Sequence, residues 1–330
     1  MTSLALMLAA CGDAPMPDER AGDGVGAALA GTLSPADAAA AADGVNAFGF
    51  DLHTAVAKDL EPDYVSFVQD TYGATLDEVD LGSPDTAVAI DDWVEQRTEG
   101  LIDAIAADLG LPSPAAVLVL LNAVYFHGTW TTTFEEGSTR DSPFTLADGE
   151  VVDVTTMHRG AADVELATGE GFQVLRLPYG EEERFGMEVL LPDEGVRLDE
   201  LLDDLDAETW AAAVAELQPA AVSEIALPRF ELESDAELDD ALQSLGMVSA
   251  FGGEDFVPMS SGDPDLDVVV QKTYIRVDEE GTAAAAVTGG VMIESAGPPA
   301  FRVDRPFAFT VSDRETGVVL FLGSVHDPRS

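Results

Sequence analysis

The sequence predicts one α+β domain built on large antiparallel sheets, and three observations lead to it. Apolar side chains make up 46% of the 330 residues, enough for a substantial core. Apolar stripes at helical spacing crowd the first third of the chain and return only briefly afterwards. From Trp130 onward the pattern changes to short apolar runs divided by glycine, proline or acidic turns. There is no regular strand–helix alternation, the mark of a parallel sheet, and no internal repeat is visible.

Taken in order, residues 12–33 are rich in Ala, Gly, Asp and Pro without periodicity and read as a flexible acidic linker. Ser34-Pro35 has the form of an N-cap with proline at the first helical position. The spacing of Val45, Phe48, Leu52 and Val56 predicts that this helix runs through them. A second helix is predicted over 64–72 and a short strand over 75–81. Ser83-Pro84-Asp85 opens a third helix, with Val88, Trp93, Val94, Leu101, Ile102 and Ile105 on one face. Residues 117–126 form a long apolar run that reads as a strand buried on both faces. Short strands follow at 144–146, 151–154, 172–177 and 187–191. Next come a helix over 198–217, a strand over 222–232 interrupted at Pro228, and a short helix over 237–245 closed by Gly246. The chain is extended over 268–277, and 307–325 forms two strands joined by a turn at 313–317.

The charge balance excludes one class of function. There are 63 acidic residues against 15 basic, a formal net charge of -48, and lysine occurs only at Lys58 and Lys272. Nucleic acid is excluded as a partner, because neutralising phosphates takes clustered Lys and Arg. The acids are spread along the chain, which describes a hydrated surface suited to high salt rather than a patch for a cationic partner. No apolar run approaches the length of a bilayer-spanning helix.

The single cysteine, Cys11, forbids an intrachain disulfide. It follows the apolar run Leu4-Ala5-Leu6-Met7-Leu8 and the small pair Ala9-Ala10, which resembles a bacterial lipoprotein signal ending at a lipidated cysteine. The run is short and no Lys or Arg precedes it, so an ordinary export signal with an incidental cysteine is the alternative. Residues 1–11 are read as the export segment. The protein is then extracellular or at the cell surface, touching membrane only through an acyl anchor.

One connection is unusual. Between the strand ending near Val277 and the strand starting at Phe307, the chain runs Glu279-Glu280-Gly281-Thr282-Ala283-Ala284-Ala285-Ala286-Val287-Thr288-Gly289-Gly290 and on to Pro299. A loop this long is uncommon inside a compact domain unless it is functional. Its first half carries only small or β-branched side chains after Glu280. With a strand period of two, Thr282, Ala284, Ala286 and Thr288 share one face and meet little steric objection from a receiving sheet.

The segment Glu279 to Ala286 matches the hinge of the serpins, and Phe301-Arg302-Val303-Asp304-Arg305-Pro306-Phe307 matches that family's C-terminal signature. Ile90-Asp91-Asp92-Trp93-Val94 with Thr98 and Gly100 resembles its helix over the main sheet. Leu121-Asn122-Ala123-Val124-Tyr125-Phe126-His127-Gly128-Thr129-Trp130 resembles its central strand. Thr139-Arg140-Asp141-Ser142-Pro143-Phe144 and Leu227-Pro228-Arg229-Phe230 fit in order. The resemblance covers about residue 44 to residue 327 and implies a serpin-like domain over 34–330. That domain would have large antiparallel sheets, surrounding helices and an exposed reactive-centre loop.

The resemblance also implies a mechanism. A serine protease cleaves the bait loop and forms an acyl-enzyme through its own serine. The hinge then inserts into the main sheet and drags the protease along. The family pattern implies a monomeric inhibitor that supplies neither catalytic group, metal nor cofactor. Counting by the family's hinge length from Glu279, and by its downstream length back from Pro306, both put the scissile bond at Ser295-Ala296. A small residue there suits elastase- or subtilisin-like proteases. If the count slips, Glu294 or Met292 takes the place of Ser295.

Some positions depart from the family. Several helices and a main-sheet strand are expected after Leu60-Glu61-Pro62, where the chain passes almost directly to Tyr64 and Tyr72-Gly73-Ala74. Gln271 stands where a histidine is usual, and Ala308 where a larger apolar residue is usual. Gly289-Gly290 weakens strand propensity late in the loop. Two other functions therefore compete: a non-inhibitory serpin-like surface protein or mere substrate, and an enzyme. The bulky, proline or charged hinge residues typical of non-inhibitors do not occur after Glu280. Against an enzyme, His53, His127, His158 and His326 lie in unrelated sequence contexts, without metal-ligand spacing or a Gly-x-Ser-x-Gly elbow.

Overall fold

The computed structural model describes residues 45–56, 61–72, 75–98, 100–116, 118–252, 269–279 and 298–329. The chain begins with strand β1 (Val45–Val56), helix α1 (Pro62–Tyr72) and the short strand β2 (Thr75–Glu78). Helix α2 (Pro84–Arg97) and the long strand β3 (Leu118–Gly128) follow. β1 lies between the other two strands, parallel to β2 and antiparallel to β3. This corrects the helix read from Val45, Phe48, Leu52 and Val56. Phe48, Phe50, Leu52 and Val56 also fall at alternate positions, so the segment satisfies a period of two as well as a helical one. Gly49 and the β-branched Val45, Thr54 and Val56 weaken a helix, and ladders on both edges decide for the strand.

α2 starts as its sequence indicates: Ser83 Oγ accepts from the Asp85 N–H at 3.2 Å, and Pro84 sits at the first turn. It stops at Arg97, earlier than the apolar stripe implies. Thr98, fully buried, donates its hydroxyl to the Val94 carbonyl and accepts from the Ile102 N–H. Asp91 Oδ1 takes the N–H groups of Ile105 and Ala106, both at 2.8 Å. These side chains replace helical bonds, so Ile102 and Ile105 pack with Ile90, Val94 and Val119 without being helical. Val88 is 58% exposed and does not share that face.

The second half is strand-rich. β4 (Arg140–Thr145), β5 (Val151–Arg159), β6 (Ala162–Thr168), β7 (Phe172–Tyr179) and β8 (Phe185–Pro192) come first. The single helix read over 198–217 is two, α3 (Leu198–Asp204) and α4 (Ala207–Ala215). Asp206 causes the break by capping α4, its carboxylate accepting from the Thr209 N–H at 2.8 Å. The strand read over 222–232 is likewise divided, into β9 (Gln218–Val222), β10 (Glu224–Pro228) and β11 (Phe230–Glu237). Helix α5 (Asp239–Ser244) precedes β12 (Val270–Val277), β13 (Ala300–Arg302), β14 (Phe307–Asp313) and β15 (Val319–Val325).

These strands build a six-stranded antiparallel sheet in the order β15-β14-β8-β7-β6-β9 and a four-stranded sheet in the order β13-β10-β5-β4. β11 and β12 form a separate antiparallel pair. Every residue of β8 and of β14 is buried, so the six-stranded sheet is covered on both faces at its centre. One face meets a cluster containing Phe144, Leu227, Phe230 and Phe307. The other carries α3 and α4, whose Leu198 and Ala213 pack with Ala308. The small residue at 308 therefore fills a helix-covered position.

Phe307 is completely buried, with the ring of Phe230 edge-on at 5.6 Å. Phe307→Ala leaves a cavity at the junction of β11 and β14 and lowers unfolding stability by about 3–5 kcal/mol. Urea titration of both proteins checks this, and a loss under about 1 kcal/mol would contradict the packing.

Candidate functional site

The long connection runs from the end of β12 to the start of β13. Residues Glu280, Gly281, Thr282, Ala283, Ala284, Ala285, Ala286, Val287 and Thr288 of the hinge lie outside the described residues, as do Met292, Glu294, Ser295, Ala296 and Cys11. Of the hinge, Glu279 is described, and the chain is followed again from Pro298. The site is therefore defined by the two ends of the loop.

At the first end, β12 carries the chain up to Asp278 and delivers Glu279 into a buried position. Its carboxylate accepts a hydrogen bond from Thr139 through Oε1 and pairs with the Arg229 guanidinium through Oε2. Arg229 is positioned by Pro228, which ends β10, and by its own N–H on the Thr155 carbonyl at 2.9 Å. Burial pushes the Glu279 carboxyl up. The bonds from Thr139 and Arg229 outweigh it and hold the group below the ordinary carboxylate range.

Beside this end lies a seam. β3 and β12 run in the same direction. Toward their starts, Val119 of β3 and Val270 and Tyr274 of β12 share one apolar cluster. Beyond their far ends the Trp130 indole N–H donates to the Asp278 carbonyl at 2.9 Å. Yet no ladder joins them among the described residues: β3 is paired with β1, and β12 with β11. Trp130 is itself fixed, stacked on Tyr179 at 4.3 Å, while the adjacent Thr131 N–H bonds to the Pro178 carbonyl. Lys272 on β12 adds an ion pair to Asp108 at 2.9 Å. Gln271, at the position where the family usually has a histidine, is buried on the same strand.

At the second end, β13 pairs in parallel with β10 over three residues, from Glu224 with Ala300 to Ala226 with Arg302. The Ser223 N–H donates to the Pro299 carbonyl at 3.0 Å, and the Val303 N–H to the Ala226 carbonyl at 2.9 Å. Glu224 also holds Arg302. Sequence reasoning missed Thr139, Arg229 and Glu224 as partners of the loop ends, and left His158 isolated although it sits 2.9 Å from Glu224. The short motifs around Thr139 and Arg229 were the only signal that they belonged to the site.

The comparisons agree with this architecture. A family model described as Serpin (serine protease inhibitor) matches residues 49–328. An uncharacterized serpin-like protein of Thermococcus kodakarensis is 36% identical over 82% of this chain and 63% of its own length. Serpin-Z10 of Arabidopsis thaliana is 35% identical over 82% of this chain and 73% of its own. The chain thus spans less than two thirds of that archaeal relative. Among solved structures, Arabidopsis AtSerpin1 in its native stressed conformation superposes with a TM-score of 0.78 at 28% identity, over 93% of this chain and 84% of that one. Native protease nexin-1 with heparin gives 0.74 at 27% identity, over 85% and 77%.

The Glu279 contacts have a definite pH signature. A depressed carboxyl contributes stability above the ordinary carboxylate range and loses it as pH falls through the depressed value. Glu279→Gln therefore lowers stability at neutral pH by about 1–2 kcal/mol, allowing for the half-exposed Arg229. The gap between variant and parent closes in acid. Thermal unfolding of both proteins across that pH range is the measurement, and a gap independent of pH would contradict an ionised Glu279.

Proposed function

The chain belongs to the serpin family of serine protease inhibitors, and on that premise we propose that it inhibits a serine protease as a suicide substrate. The observation that carries this reading is the seam between β3 and β12, with the hinge leaving directly from the end of β12. A hinge that folds back beside β12 enters the seam antiparallel to both neighbours, which suits ladder formation on each edge. At about 3.3 Å per residue, a dozen inserted residues move a tethered protease by about 40 Å. The small side chains of Thr282, Ala284, Ala286 and Thr288 remove steric cost along the inserting face. Glu279 must give up or carry its contacts to Thr139 and Arg229 as the hinge enters, so this carboxylate stands at the start of the movement.

The bait bond in this reading is Ser295-Ala296, presented to elastase- or subtilisin-like enzymes. The absence of Arg and Lys between Arg276 and Arg302 disfavours a trypsin-like target. Cys11 serves as an acyl anchor that holds the inhibitor at the outer surface, with 12–33 as tether. A second reading rests on the shortened interval before Tyr64: β1 occupies a strand position between β2 and β3, and a sheet completed this way holds less strain to drive insertion. The protein then acts as a non-inhibitory surface protein or is simply cleaved.

Incubation with pancreatic elastase or subtilisin, followed by a denaturing gel and mass spectrometry, separates the readings. Inhibition gives an SDS-stable complex and, once the sample is denatured, a separate peptide beginning at Ala296. Ala284→Arg keeps the cleavage and loses the complex, because a charged side chain then enters the sheet. Cleavage of the parent protein at Ser295 without any complex would establish the second reading, and no cleavage would refute the bait bond.

A further inference from the structure

We infer that Glu224 is a positioning residue for the loop, clamping through Arg302 the strand that follows the bait bond. The inference rests on the bait-loop reading above. β13 is three residues long and, among the described residues, lies at the edge of its sheet with β10 as its one neighbour. Phe301 and Val303 anchor it in the core from one face, and the exposed face of so short a ladder is left for polar side chains to reinforce. Glu224 supplies the reinforcement. Its Oε2 accepts from Arg302 Nε at 2.8 Å and pairs with Nη2 at 2.7 Å, two donors of one guanidinium on one carboxylate oxygen.

The other oxygen is tied to the body of the sheet. Oε1 lies 2.9 Å from His158 Nδ1 and 3.4 Å from Arg140 Nη2, and His158 Nε2 lies 3.1 Å from Ser142 Oγ. The contacts Ser142–His158–Glu224–Arg302 take one residue from each of β4, β5, β10 and β13 and so cross the whole sheet. The edge strand is thereby fastened to the opposite edge. Arg140 Nη2 also sits 3.0 Å from the same His158 nitrogen. A cation there favours holding a carboxylate in place over activating Ser142 as a nucleophile. The Glu224 carboxyl is held below its ordinary range, first by His158 and then by Arg302 against burial, so it is ionised at neutral pH.

The two ends of the loop are secured from adjacent residues. Thr139 bonds to Glu279 at the first end, and Arg140 reaches Glu224 at the second. After cleavage at Ser295-Ala296, β14 and β15 keep the downstream chain with the body, and the clamp keeps β13 in place beside β10 while the hinge side moves.

Hydrogen exchange tests this on the uncleaved full chain, without a protease. Glu224→Gln and Arg302→Gln are each expected to speed exchange of the Phe301 and Val303 amides about three- to fivefold, as suits a pair whose arginine is exposed, the double variant no more than either single one. The amides of Val174 and Val189 in the six-stranded sheet serve as reference and keep their parent rates. Arg302 is largely exposed, so its variant folds even if Glu224→Gln does not. Unchanged exchange at Val303 in the Arg302 variant would overturn the clamp. So would additive effects, or equal acceleration at the reference amides. None of these results bears on complex formation, so the clamp and the inhibitory reading fail separately.

Discussion

The Trp130 indole donating to the Asp278 carbonyl is the contact on which the arrangement around the loop depends. It joins the ends of two strands that share no ladder, β3 and β12, and so sets their spacing without filling the space between them. The bond is possible because Trp130 cannot move far. It stacks on Tyr179, meets Phe134 edge-on at 6.3 Å, and is flanked by backbone bonds that fasten Thr129 and Thr131 around Pro178 and Gly180. The rigid six-stranded sheet thus extends its order to the seam through one aromatic side chain. A ladder between β3 and β12 would stabilise the fold more, and it would leave no seam.

The reading of a hinge loop rests on a local signal. Small side chains in succession, a period of two and a conspicuous length all lie within one stretch of chain. What holds the loop's ends was not legible for the opposite reason. Thr139 is 140 residues from Glu279, Arg229 is 50 residues from it, and His158 is 66 residues from Glu224. No periodicity connects residues so far apart. A lone histidine in an unremarkable strand acquires its role only when β4, β5 and β10 come together.

The fold misreadings have a common cause as well. Apolar spacing gave the right faces but not the right ends. Ile102 and Ile105 do belong with Ile90 and Val94, yet the polar side chains of Thr98 and Asp91 carry them there along a non-helical path. At 198–217 the stripe continues across Asp206, which reads as one more acid in an acidic chain but acts as a cap. β1 is a different case. Its apolar residues satisfy helix and strand periods together, and the choice rests with the partners available on either edge. Here those partners are β2 and β3.

The pairing of arginine with nearby carboxylates has a consequence for how this molecule is seen from a distance. Arg176 is committed to Glu188, Arg184 to Asp313, Arg229 to Glu279, Arg302 to Glu224 and Arg314 to Glu165, while Lys272 is committed to Asp108. With so few cations and most of them neutralised at short range, the outer field is governed by acids alone. Such a field draws basic macromolecules toward the surface and keeps copies of the protein apart in dilute buffer. Its reach shrinks from about 8 Å at physiological ionic strength to about 3 Å in molar salt. In brine, encounter with any partner is left to shape and short contacts.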